Sequence, residues 1–321
     1  MLYPTHKRYG ILWGLLMFPI GVLLGVIPIL SVSMRPTDIF MLVVCCYLGM
    51  RGALFGAEFP DIDSPGSVPA HKHPVIRKIF EFFHVKHRGK FSHDYFSLLL
   101  LFGGSLFVLS FAGRRWIDSI VSGSTLWGTI SYMSLVVFVW MVALDLVDFL
   151  KWLANLMQNR RMWAILHKKR FVIGFWNVVW LSGVLWLAGV FKLGALFTGN
   201  IDLSSGIQSA MILLAAFKVY IIFAWAGAYS HLFADMTTKS GVSIFFIPVA
   251  PAKVALKLKK VPLVGRLLVP TDFKTGTGWE DLNRYVATVL CVPAFILAVL
   301  ALSGFDVSKV MHVVLGAIGG V

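Results

Sequence analysis

Histidine and aspartate gather at the ends of apolar segments in a chain otherwise poor in charge: His6, Asp61, Asp63, His87, His93, His231 and Asp235. Imidazole nitrogens and carboxylate oxygens without thiolates suit zinc, manganese or iron, not copper(I) or an iron–sulfur cluster. Four His and three Asp exceed the four donors of one tetrahedral ion. The set could hold one ion, or two ions that share a water, activate it and grip a phosphoryl oxygen.

Each motif also has a plainer explanation. Asp61 and Asp63 stand in Glu-Phe-Pro-Asp-Ile-Asp-Ser-Pro-Gly, where Pro60 and Pro65 predict non-helical backbone. The two acids are either solvated turn residues or ligands brought together by a bend. His87-Arg-Gly-Lys-Phe-Ser-His93 brackets a glycine turn with two imidazoles. Arg88 within it is suited to a bidentate grip on phosphate, although such a loop could equally be a solvated face. His231-Leu-Phe-Ala-Asp235 sets an imidazole and a carboxylate four apart on one helix face, for a shared metal or a simple ion pair. Thr237, Thr238 and Gly241 are expected to end that helix. Alone, His6 beside Lys7 and Arg8 says little, and His71, His73 and His84 are read as bystanders.

The elements that must position these groups are membrane helices. Of 321 residues, 58% are hydrophobic and only 14% charged, which a soluble protein of this length would not show. The runs Tyr9–Met34, Tyr95–Gly113, Ser119–Leu144, Phe171–Phe191 and Tyr285–Phe305 contain no Asp, Glu, Lys or Arg. Each approaches or exceeds the roughly 20 residues a helix needs to cross about 30 Å of hydrocarbon. Leu203–Ala234 is interrupted only by Lys218, and the short Ile39–Met50 could extend to Ala57 as a helix buried among the others. Backbone in lipid must satisfy its own polar groups, so the expected class is all-α: a polytopic integral membrane bundle of about six to seven helices forming one domain over 1–321. Cys45, Cys46 and Cys291 lie in apolar stretches and read as packing residues, without a disulfide framework.

Basic loops set the orientation. Loops 58–94, 151–170 and 235–284 are rich in Lys and Arg and are expected on the cytoplasmic side, with the N-terminus and every candidate ligand; the adjacent Arg114 and Arg115 count the other way. The net charge of +14 is therefore attributed to anionic lipid rather than nucleic acid. Pro74–Lys86 alternates apolar and basic residues at helical spacing, either resting on headgroups or serving as a substrate lid. Lys253–Val269 does the same less regularly.

At these motifs the chain resembles the LexA-binding, inner-membrane-associated hydrolases of the YdjM-like family. The resemblance is carried by Thr5-His6, Phe59-Pro60-Asp61-Ile62-Asp63, His87-Arg88-Gly89 with Ser92-His93, and His231 to Asp235 with Thr238 and Gly241. Gly276 and Glu280 correspond to a final Gly-x-x-x-Glu. It covers regions 1–100 and 220–285, while 115–205, with its extra spans, has no counterpart. The six-residue step from His87 to His93 is closer to a second set of uncharacterised metal-binding membrane proteins. A more distant similarity is to the zinc-dependent phospholipase C fold, whose second His-x-x-x-Glu helix motif is missing here.

The resemblance implies a metal-dependent hydrolase of a bacterial inner membrane, acting on a lipid or lipid-linked phosphoester. His6, Asp61, Asp63, His87, His93, His231 and Asp235 would hold zinc, or manganese or iron. Arg88 would steady developing negative charge, and Ser92 would orient a ligand in preference to acting as nucleophile. Two rivals are a transporter using the His/Asp set as an ion relay, and a noncatalytic subunit whose metal ties loop 58–94 to the helix ending at Asp235.

Overall fold

Among the described residues the apolar runs fold as helices, which satisfy their backbone groups within the segment. The structure, a computed structural model, describes residues 3–27, 29, 36–85, 87, 91–122, 147, 150–151, 154, 157, 160–169, 172–176, 179, 203–236 and 276–304. Among them the regular elements are all helical: α1 (Tyr3–Leu23), α2 (Pro36–Glu58), a 3-10 turn (Pro60–Asp63), α3 (Val68–Lys72), α4 (Pro74–Phe82), α5 (Tyr95–Ser122), α6 (Arg160–Lys168), α7 (Leu203–Met236) and α8 (Gly278–Leu302). The all-α expectation holds. Two helices are long and apolar enough to cross a membrane, α5 over Tyr95–Trp116 and α8 over its whole length. Most of the expected spans Ser119–Leu144 and Phe171–Phe191, and all of Lys253–Val269, lie outside the described residues.

The chain divides into two compact units, Met1–Ser105 with Val219–Val321, and Leu106–Lys218. Within the second, Val147, Ala154 and Leu166 form a small buried cluster joined by Leu150, Met162 and Ile173. Every candidate ligand lies in the first.

Small residues let the helices of the first unit approach closely. A Cβ on Gly56 of α2 would stand 1.8 Å from the Ala224 carbonyl oxygen of α7. From the other side, one on Gly227 would stand 2.0 Å from the Ala53 carbonyl oxygen. Only glycine permits backbones this near, a crossing of the small-xxx-small kind. Phe18 of α1, Cys45 of α2, Val219 and Phe223 of α7 and Ala298 of α8 form a buried core cluster, and all three cysteines are free. Tyr9 of α1 donates to Asn283 Oδ1 of α8 and packs on Ala234 and Ala287.

Three local boundaries differ from the sequence expectation. α1 starts at Tyr3, so His6 is part of its first turn and does not precede the helix. The apolar run from Tyr9 breaks after Leu23, where Gly25 takes a φ of +66°. Residues 60–63 form a 3-10 turn in place of extended chain, because Pro60 sits at a first helical position, where its missing N–H costs nothing. α4 matches the amphipathic expectation, with Pro74 at its start. It ends in a Schellman arrangement: Val85 N–H donates to Phe80 O, His84 N–H to Glu81 O, and His84 adopts a φ of +54°.

Candidate metal centre

Four separate pieces of chain deliver the site. α1 carries His6, the 3-10 turn carries Asp61 and Asp63, the segment before α5 carries Ser92 and His93, and α7 carries His231 and Asp235. Local hydrogen bonds set each piece. Ser67 caps α3 by accepting from Ala70 N–H at 3.1 Å and donates to Asp61 O at 2.6 Å, which ties down the turn. Asp94 caps α5 by accepting from Ser97 N–H at 3.1 Å, so His93 is held just outside a fixed helix start. Tyr229 of α7 donates to the Tyr95 carbonyl at 3.0 Å and draws that start against α7.

The tautomers follow from these partners. His231 Nδ1 donates to the Ala57 carbonyl at 2.7 Å, so that in the neutral imidazole it is Nε2 that keeps the lone pair. That Nε2 lies 3.5 Å from Asp235 Oδ2 and 3.7 Å from Asp61 Oδ1. His93 Nδ1 lies 3.0 Å from Ser92 Oγ and 3.2 Å from Asp63 Oδ2. Ser92 Oγ itself donates to Asp63 Oδ2, so His93 carries its proton on Nδ1 and directs a bare Nε2 to within 3.9 Å of Asp235 Oδ2. His6 Nε2 stands 3.4 Å from Asp235 Oδ1, and its ring stacks on His231 with centroids 3.7 Å apart.

Separations of 3.4–3.9 Å exceed a good N–H···O bond. They match two donors on one tetrahedral ion, which at about 2.0–2.2 Å from the metal stand about 3.4 Å apart. Among the described residues, neither ring nitrogen of His6 nor the Nε2 of His231 has a hydrogen-bond partner, although all three atoms are buried. Donor atoms of His6, Asp61 and His231 lie within 4.8 Å of one another, as do those of His93, His231 and Asp235. Lone pairs facing carboxylates in a buried site call for a cation between them. These residues therefore fit a divalent metal.

Five of the seven expected ligands converge, and the other two stand behind them. In a helix with three residues per turn, positions two apart point about 120° away from each other. Asp61 accordingly faces His231, while Asp63 faces back toward the segment before α5. There Asp63 accepts from His87 Nδ1 at 2.7 Å, from Ser92, and from His93. Burial would raise the Asp63 pKa, but the hydrogen bonds from His93, Ser92 and His87 outweigh it and hold the carboxyl below its ordinary value. An ionised Asp63 orients His93 as carboxylates behind metal-bound histidines do. His87 reaches the centre through Asp63 and through an edge-to-face contact with the His93 ring. Arg88, Thr238 and Gly241 lie outside the described residues.

Two supporting networks were not evident from the sequence. Glu58, buried at the end of α2, accepts from Tyr3 Oη and from Lys72 Nζ at 2.9 Å, with His73 Nε2 at 3.4 Å. Its burial favours the neutral acid, yet His73 and Lys72 hold its pKa far below the usual carboxylate range. His73, read as a bystander, thus helps lock α1, α2 and α3 around the 3-10 turn. Glu280, also buried, accepts from Thr5 Oγ1 at 3.0 Å and Gly276 N–H at 2.8 Å. It thereby anchors the residue beside His6, and the Gly-x-x-x-Glu spacing was its one signal. Comparisons of the chain with family models, curated proteins and solved structures found no match.

Proposed function

We propose that the chain is a metal-dependent hydrolase of the membrane, similar in kind to the YdjM-like family. It would hold one or two divalent cations, zinc foremost, among His6, Asp61, His93, His231 and Asp235. The observation that carries this reading is the bare, buried Nε2 of His231 facing two carboxylates. Once bound, such an ion polarises an ester oxygen and acidifies water.

The chain's own residues supply positioning and access. Ala57 and Asp63 fix the tautomers of His231 and His93, and Ser92 links Asp63 to His93 as an orienting group. His6, His93, His231 and Asp235 are buried, whereas the Asp61 side chain is 21% exposed and that of His87 47%. Substrate would approach along this flank, and a purely structural ion would have no use for such an opening. Arg88, next to His87 in sequence, would steady negative charge developing on an anionic ester.

A lipid or lipid-linked phosphoester is the substrate class that best fits the surroundings. The apolar arc of α4 is wider than its packing needs: Phe80 is buried against Phe59 and Phe91, but Val75, Ile79, Phe82 and Phe83 are exposed. That face, flanked by Lys78, suits the headgroup boundary. The fuller topology, with six to seven spans and a cytoplasmic site in a bacterial inner membrane, rests on the apolar runs and the Lys/Arg distribution.

Elemental analysis of protein purified in detergent without chelator tests the reading, together with hydrolysis of phospholipid headgroup esters. Asp61→Ala and His231→Ala should each lose metal and activity together. Unchanged metal stoichiometry in these variants would remove the site. Ion flux in proteoliposomes that survives metal stripping would favour a transporter.

A further inference from the structure

We infer that this centre is built for two cations bridged by Asp235; the inference rests on the metal reading above and deepens it. A metal bound to imidazole lies in the ring plane, along the lone pair of the coordinating nitrogen. The His6 and His231 rings are stacked 3.7 Å apart and inclined by only 10°. Their planes do not meet near the Nε2 atoms, so one ion cannot lie in both. Two ions side by side can, because the ring spacing falls within the roughly 3.5–4 Å found between the metals of two-ion hydrolytic centres.

Asp235 divides its oxygens in the same way. Oδ1 is 3.4 Å from His6 Nε2, while Oδ2 is 3.5 Å from His231 Nε2 and 3.9 Å from His93 Nε2. The donors sort into His6 with one carboxylate oxygen, and His231 and His93 with the other. Asp61 has an oxygen within 4.8 Å of the donor atoms of both His6 and His231, and its partial exposure puts it on the open flank between the two positions.

A one-ion centre leaves His6 unexplained. His231, His93, Asp235 and Asp61 already supply the four donors of a tetrahedral ion. His6 would then be buried with neither ring nitrogen hydrogen-bonded among the described residues, and the 3.4 Å approach of its Nε2 to Asp235 Oδ1 would be its sole return for the desolvation beyond stacking on His231. A second ion beside the first gives that histidine its partner. Two ions also fit a phosphoester better than one, since attacking and leaving oxygens can be held together.

The test uses full-length protein in detergent, stripped with chelator and reloaded with Mn(II), with zinc counted in a parallel sample. Elemental analysis should find about two ions per chain, and the manganese EPR spectrum should show an exchange-coupled pair. His6→Ala should fall to about one ion with the spectrum of an isolated centre. One ion per chain in the wild type, or two that are uncoupled, overturns the bridged pair while leaving a metal hydrolase in place. No bound ion of either kind sinks the metal reading itself. A coupled pair that persists in His6→Ala removes His6 from it, and if that variant fails to fold, the wild-type count and spectrum still decide.

Discussion

His231 and Ala57 are joined by a 2.7 Å hydrogen bond from the imidazole Nδ1–H to a backbone carbonyl near the end of α2. The bond orients a histidine that faces Asp61 and Asp235, and it does so through main chain whose position depends on how closely α2 approaches α7. Helix packing and the geometry of the candidate metal centre are thereby linked through one contact.

Gly56→Ala should break that linkage. The added methyl would stand 1.8 Å from the Ala224 carbonyl oxygen, a backbone atom that cannot move without parting the helices. The expected loss is about 3 kcal/mol or more, read as a lower thermal midpoint in detergent with reduced metal content. Gly66→Ala, which meets nothing within 4 Å, is the control and should leave both unchanged.

Asp63→Asn separates orientation from ligation. Asparagine keeps the shape, but its neutral amide no longer offers His87, Ser92 and His93 an ionised acceptor. Metal affinity should fall about 10–100-fold, measured by competition with a chromophoric chelator. Asp61→Asn should cost more. Equal losses would place Asp63 on the ion.

Glu58→Gln tests the acid side of the stability curve. The Glu58 pKa is depressed in the folded chain, so its contribution is complete above the unfolded value of about 4.3 and disappears as pH falls toward the folded value. The wild-type advantage in thermal midpoint should be constant from neutral pH down to about pH 5 and shrink below about pH 4. An advantage that persists undiminished below about pH 4 would contradict the assigned ion pair with Lys72.

His84→Gly should stabilise. The residue is exposed and holds a φ of +54° at the end of α4. A left-handed backbone costs a side-chain-bearing residue about 1 kcal/mol that glycine does not incur. A higher thermal midpoint with unaltered metal binding is expected, and a lower one would mean that the imidazole contact with the Glu81 carbonyl outweighs backbone strain.

The sequence exposed the chemistry better than its arrangement. The four-residue step from His231 to Asp235 fixes a shared helix face, and both side chains do meet at the centre. Asp61 and Asp63 were legible as a pair but not as a division of labour, because that depends on a 3-10 turn the two prolines seemed to forbid. The stacking of His6 on His231 spans most of the chain and leaves no local trace. Glu58 looked like one more acid in a loop, since its partners Tyr3 and Lys72 are remote in sequence and only folding makes them neighbours. Helicity followed from composition alone, whereas the close crossing of α2 and α7 depends on which glycines face each other.

The donors of the centre are also ordered in time. His6 leaves the ribosome first, and His231 and Asp235 follow only when the helix Leu203–Met236 is made. Until then the earlier histidines and aspartates lack the other half of the site. If the centre takes up a cation, that capture is a late step of biogenesis, and a chain truncated before that helix should be incapable of retaining metal.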